Sequence, residues 1–175
     1  HSFPTRRSSD LVREYRTDPF ALTRVAEVMT TEVDTLKASM TLHEAVTLLT
    51  DPATRHPTFP VVDDEMRVLG VVDPPAIMRW RRGGEHRKTT LGKLLSGKNV
   101  VVAYPDEFLE GLAEKLNGAN VSHLPVIARD NARLVGYIGW KDLMRVRLKL
   151  RSEERNRNAF FRLTTRGSDG VASAK

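Results

Sequence analysis

Apolar positions along the chain fall into two copies of one pattern. The first copy is Phe59-Pro60-Val61-Val62-Asp63, a short polar turn, then Val68-Leu69-Gly70-Val71-Val72. The second is Leu124-Pro125-Val126-Ile127-Ala128, another polar turn, then Leu134-Val135-Gly136-Tyr137-Ile138. β-Branched and aromatic residues in short runs predict buried strands, paired here as two hairpins. A glycine inside such a strand, Gly70 or Gly136, lets a backbone or a ligand approach closely. Each copy then enters a helix. The first starts at Asp73-Pro74-Pro75, with proline suited to a first turn. The second starts after Gly139 and runs from Lys141 to Arg157, with Leu143, Val146 and Leu150 as its apolar stripe. Two copies predict a pseudo-symmetric pair rather than a solenoid, which needs at least three repeats.

The flanks of each copy match as well. Asp18 to Thr30 reads as a short helix, and Val33 to Leu36 as a short strand. Thr41 and Glu44 form a capping box ahead of the stripe Leu42, Ala45, Val46 and Leu49. Before the second copy come a short helix at Thr90–Leu95 and a strand at Val100–Val102. A helix follows, with Asp106 as N-cap, the stripe Leu109, Leu112, Ala113 and Leu116, and a stop at Asn117-Gly118. Arg81 to Thr89 is a flexible basic linker. Thr164 to Lys175 is small and polar and is expected to be disordered.

Composition narrows the chemistry. The chain has 175 residues and no cysteine, which excludes disulfides and thiol chemistry. Residues 1–11 match, residue for residue, one reading frame of a sequencing-library adaptor, and are expected to be an assembly artefact outside the fold. On that reading the natural protein extends upstream. The formal net charge of +6 falls by one, to +5, without Arg6, Arg7 and Asp10. The surplus sits in the linker and the C-terminal helix. It permits nucleic-acid binding, but no recognition helix or RNP motif accompanies it, and no nucleic-acid partner is expected.

Two motif-like stretches fail on inspection. His43-Glu44 begins a zinc-protease helix, but Thr47 stands where the second histidine is needed. Gly92 to Asn99 nearly spells a P-loop. Asn99 replaces the magnesium-binding hydroxyl, and the helix precedes the strand instead of following it. No catalytic set and no metal cluster emerges, so the chain is not expected to be an enzyme.

The repeated apolar-Pro-Val-apolar, turn, apolar-Gly-apolar-apolar, helix pattern resembles the CBS-domain pair, the Bateman module, over Val25 to Arg147. The resemblance implies an α/β (α+β) fold: tandem repeats with two small sheets flanked by helices about a pseudo-two-fold axis. The implied division is a lead-in at 12–24, repeat 1 at 25–82, a basic linker and short helix at 83–98, repeat 2 at 99–150, and a charged helix end and tail at 151–175. The family commonly binds adenine nucleotides between its repeats and regulates the protein it is attached to.

Carried over residue by residue, the resemblance makes Asp142 the ribose carboxylate, beside Gly139 at the strand-to-helix junction. A carboxylate there can accept two hydroxyl hydrogen bonds. His56, Pro57, Thr58 and Phe59 would flank adenine, and Ser122 and His123 would meet the phosphates. The expected ligand is ATP, ADP or AMP. In repeat 1, Ala76 stands where Asp142 stands, so that repeat's own ribose carboxylate is lost and at most one intact site remains.

Three tracts are most similar to the cytosolic tails of bacterial ClC-type chloride channels and transporters: Phe59–Val62, Ala103–Glu107, and Arg151–Arg157 with Phe160-Phe161-Arg162. This implies a regulatory domain on the cytoplasmic side of an inner membrane protein, a homodimer, and an upstream membrane transport domain absent from this chain. The alternatives are a CBS pair on another host, or a dimerisation scaffold without a ligand.

Overall fold

A computed structural model describes residues 18–51 and 58–168, and side chains as far as residue 160. The chain order is α1 (Pro19–Leu22), a 3-10 turn (Val25–Glu27), β1 (Leu36–Lys37), α2 (Leu42–Thr50), β2 (Phe59–Val62), β3 (Val68–Val72), α3 (Pro74–Arg82), α4 (Leu91–Leu95), α5 (Leu109–Ala119), β4 (His123–Ile127), β5 (Leu134–Gly139) and α6 (Trp140–Ser168).

Both predicted hairpins form. β2 pairs antiparallel with β3, with Val61 opposite Gly70; β4 pairs antiparallel with β5, with Val126 opposite Gly136. A register shift falls at the matching place in each, between Val61 and Val62 and between Val126 and Ile127. β1 adds to the first sheet parallel to β2 through Leu36 and Val61. Its counterpart in the second repeat is one parallel bridge, Ala103 to Val126. The strands expected at Val33–Leu36 and Val100–Val102 are therefore displaced toward their C-terminal ends and shortened.

The two cores are built crosswise. Leu36, Leu42, Val61 and Val72 of the first repeat are completed by Leu91, Leu94 and Leu95 of α4, from the connecting segment. Leu109, Leu112, Leu124 and Ile138 of the second repeat are completed by Phe20 from the lead-in and by Val25 at the very start of the first repeat. Backbone bonds follow the same exchange. Leu42 N–H donates to Thr89 O (2.8 Å) and Leu91 N–H to Met40 O (2.8 Å). Val25 N–H donates to Glu107 O (2.8 Å) and Leu109 N–H to Thr23 O (3.0 Å). The segment before each repeat thus seals the helix of the other. Thr90–Leu95 is core of the first unit rather than part of a loose linker.

Helix ends also depart from the sequence expectation. The N-cap of α5 is Phe108, not Asp106. Asp106 instead takes a two-point ion pair from Arg129, Nε to Oδ1 (2.9 Å) and Nη2 to Oδ2 (3.1 Å). α5 runs through Asn117-Gly118 and closes at Asn120, a left-handed residue with φ 52°. α6 continues to Ser168, past Thr164 where disorder was expected to begin.

Candidate functional site: a cleft over the second hairpin

The C-terminal end of β5 delivers Tyr137 and Gly139 to one face, and α6 opens directly behind them. Asp142, in the first turn of α6, is the only buried charged or polar residue among those described, at 8% exposure. Its Oδ2 accepts the N–H of Gly139 (2.9 Å), and its Oδ1 accepts from Arg145 Nη2 one turn along the helix. An ionised carboxylate kept from water needs such donors. Two bonds still leave lone pairs available for further hydroxyl donors.

His123 lies directly opposite Gly139 in the β4–β5 ladder. A Cβ at Gly139 would sit 2.3 Å from His123 Cδ2 and 2.7 Å from Ser122 O, so only glycine admits the imidazole there. The ring stacks against Tyr137, the diagonal neighbour, with centroids 5.3 Å apart and planes 8° from parallel. Ser122 Oγ lies 2.9 Å from His123 Nδ1. Tyr137 Oη is buried and has no hydrogen-bond partner among the described residues, and burial pushes its phenol above the ordinary range.

The other wall comes from the first half of the chain. Thr30 exchanges both backbone bonds with Tyr137, N–H to O at 2.9 Å and 2.8 Å, extending the second sheet by one bridge. This carries the loop after Thr30 across to the hairpin, where Glu32, Val33 and Asp34 face Thr58 and Phe59 of the first repeat. Together these groups enclose a cleft of about 480 Å³, within the usual span of small-molecule sites.

The structure therefore brings Asp142, Thr58, Phe59 and His123 to one cleft, with Gly139 as the seat of the imidazole. Ser122 faces instead an adjoining cleft of about 410 Å³, which it shares with Asp73, His123 and Trp140. His56 and Pro57 lie outside the described residues. In the first repeat Ala76 is buried at 4% exposure, and Asp73 caps α3 by accepting Ala76 N–H (2.7 Å). No carboxylate is set there as Asp142 is set in the second repeat.

Reasoning from sequence missed Tyr137, Arg145 and the loop after Thr30 as parts of the cleft. Arg145 carried a signal, since i and i+3 meet on a helix. The loop carried none, because it reaches the cleft by crossing between repeats. Among the described residues no group of three or more His, Asp or Glu side chains could hold a metal ion.

A paired β-hairpin-plus-helix unit with a ligand-sized cleft between its halves defines a class of tandem-repeat fold. The chain belongs to the CBS domain family, whose sequence profile matches residues 25–83 and 93–149. It is 31% identical over 115 residues to a homoserine O-acetyltransferase of Methanosalsum zhilinae, a match covering 66% of this chain and 22% of that protein. It is 25% identical over 125 residues to an L-aspartate semialdehyde sulfurtransferase of Methanocaldococcus jannaschii, covering 71% of this chain and 23% of that protein. The chain thus spans under a quarter of the length of these curated relatives. Among solved structures it is similar to a CBS domain pair in complex with 5′-methylthioadenosine and S-adenosyl-L-methionine. The TM-score is 0.59 at 24% identity, over 71% of this chain and 94% of that one. It is also similar to CBSX2 in complex with AMP, with a TM-score of 0.63 at 22% identity, over 73% of this chain and 98% of that one. At these identities the two structures establish the fold.

Proposed function

We propose that this CBS pair is a regulatory module that binds an adenosine-containing ligand in the cleft between its repeats, with Asp142 accepting the ribose hydroxyls. One observation carries the reading: the only buried charge among the described residues stands in the wall of a ligand-sized cleft. Desolvating a carboxylate costs stability, so a fold that keeps one beside a cleft has a use for it. Thr58 and Phe59 form the adenine wall, and the family resemblance assigns His56 and Pro57 to the same role. Gly139 seats His123, and His123 and Ser122 meet the phosphate end. Neighbours solved with AMP and with adenosyl ligands support the ligand class. Binding biases the packing of the crosswise halves, and with it the attached host, to the extent that the ligand's affinity differs between two arrangements.

Calorimetric titration of the chain with AMP, ADP, ATP and S-adenosylmethionine tests this. At least one should bind, and Asp142→Ala should weaken it by about tenfold or more, the value of a charged hydrogen-bond acceptor. Equal binding by the variant would remove the ribose assignment.

Two hosts are consistent with the module. Similarity of Phe59–Val62, Ala103–Glu107 and the Arg151–Arg157 tract to bacterial ClC-type tails supports a chloride channel or proton–chloride antiporter, which would place the module on the cytoplasmic face as a homodimer. The relatives named homoserine O-acetyltransferase favour instead an enzyme host. No helix among the described residues is long and apolar enough to cross a membrane, so the test between the two hosts is the reading frame upstream, if the gene has one. An upstream reading frame with apolar runs of about 20 residues selects the transporter, and its absence selects the enzyme. Sedimentation of the chain reads the dimer directly.

A further inference from the structure

The cleft makes no use of the basic stretch that runs from the end of α3 past α4. Between Arg79 and Lys98 the chain carries seven basic residues against one acid, Glu85. All seven are exposed, and none pairs with a carboxylate among the described residues. Arg67, Arg129 and Arg147, by contrast, pair with Asp63, Asp106 and Asp18. The stretch is not a loose tether. Glu85 N–H donates to Trp80 O (3.1 Å), and Thr89 N–H to His86 O (2.9 Å). The carbonyls of Arg87 and Thr89 accept from the first turn of α2, His43 N–H (3.0 Å) and Leu42 N–H (2.8 Å). Trp80, 8% exposed, anchors the end of α3 in the first core, and Lys98 Nζ lies 5.3 Å from its ring centre. The end of α3, the turn after it and the segment after α4 therefore meet around Trp80. Their cations stand on an ordered base, where like charges repel and lack acceptors. Met78, 47% exposed, lies on α3 one turn before Arg82.

We infer that this surface docks on an anionic lipid bilayer, with the arginines and lysines at the headgroups and Met78 at the boundary beneath them. Each basic side chain near such a surface adds to the attraction, whatever the exact geometry of its partner. Nucleic acid is the other polyanion to which the charge is suited. A single strand is held by aromatic rings on which its bases stack, and the one Trp, Tyr or Phe of the stretch, Trp80, is buried. A duplex is read by an element that enters a groove, whereas these cations stand at a helix end and on a turn. An exposed apolar side chain among the cations has a place at a bilayer interface and none against phosphates. The inference uses no residue of the cleft and is independent of the nucleotide reading.

The test is sedimentation of the chain with vesicles of phosphatidylcholine alone and of phosphatidylcholine mixed with phosphatidylglycerol. At low salt the chain should bind the mixed vesicles and not the neutral ones, and added salt should release it. Arg81→Gln, Arg82→Gln, Arg87→Gln and Lys88→Gln combined should weaken binding by about a hundredfold or more, at about fivefold per charge. The same loss of charge from the outer part of α6, as Lys149→Gln, Arg151→Gln, Arg155→Gln and Arg157→Gln, should change it by about threefold or less, because those charges are screened from the surface. All eight positions are exposed, so folding is not at stake. Arg81→Lys, Arg82→Lys and Arg87→Lys combined keep the charge and should bind as wild type does. No binding to the mixed vesicles at low salt, equal losses in the two glutamine sets, or a loss in the lysine set overturns the assignment. Tighter binding of a DNA or RNA oligonucleotide than of the mixed vesicles, per accessible phosphate at the same salt, overturns it in favour of nucleic acid.

Discussion

At the scale of single residues, the site depends on three neighbours around one junction. Gly139 gives its N–H to Asp142 and leaves its Cβ space to His123; His123 in turn lies flat on Tyr137. Asp142 and Gly139 stand out at a strand-to-helix junction, but it is the repeat and the family resemblance, not the local pattern, that give the carboxylate a candidate role. Tyr137 was not, because its role depends on which way β5 faces across the two halves. Its buried hydroxyl, without a partner among the described residues, costs the fold about 1–3 kcal/mol. Tyr137→Phe should therefore stabilise the ligand-free chain by about 1 kcal/mol, or roughly 2–4 °C in Tm by thermal unfolding. A lower Tm would show that the hydroxyl contributes a bond to the fold.

At the scale of elements, the hairpin strands, the helix stripes and the start of α2 were readable, and the start of α5 was not. The hairpins appear where the apolar runs predicted, and each carries a register shift at the matching place. The α2 capping box forms as written, with Glu44 N–H to Thr41 Oγ1 (3.3 Å) and Thr41 N–H to Glu44 Oε2 (2.7 Å). α5 departs because the other half of the chain satisfies its first turn: Leu109 N–H already bonds Thr23 O, so Asp106 is released to pair with Arg129. Local capping rules assume that no distant backbone competes for those donors. The same exchange changes what α4 is. Leu91 follows a polar, basic stretch, yet it is 0% exposed within the first core. Leu91→Ala should cost about 2–5 kcal/mol in urea unfolding, the range of a core truncation, against about 0.5 kcal/mol or less for an ordinary surface linker position. A loss near the second figure would mean that α4 does not belong to the core.

At the scale of the whole molecule, the crosswise sealing links each half to the other's lead segment. The pseudo-symmetry was legible because the repeat is written twice. The exchange was not, because which core the apolar residues of α4 and the lead-in join is fixed by backbone bonds such as Leu91 with Met40 and Leu109 with Thr23, which no side-chain pattern encodes. Its consequence is a cleft whose walls come from both halves, so a ligand there reports on their relative position. The most direct test is to follow backbone amide resonances of the chain as AMP is added. The account predicts shifts concentrated at Gly139, Asp142, Tyr137, Thr58 and the loop after Thr30, saturating together. Saturating shifts confined to residues away from that cleft, or none at all, would contradict it.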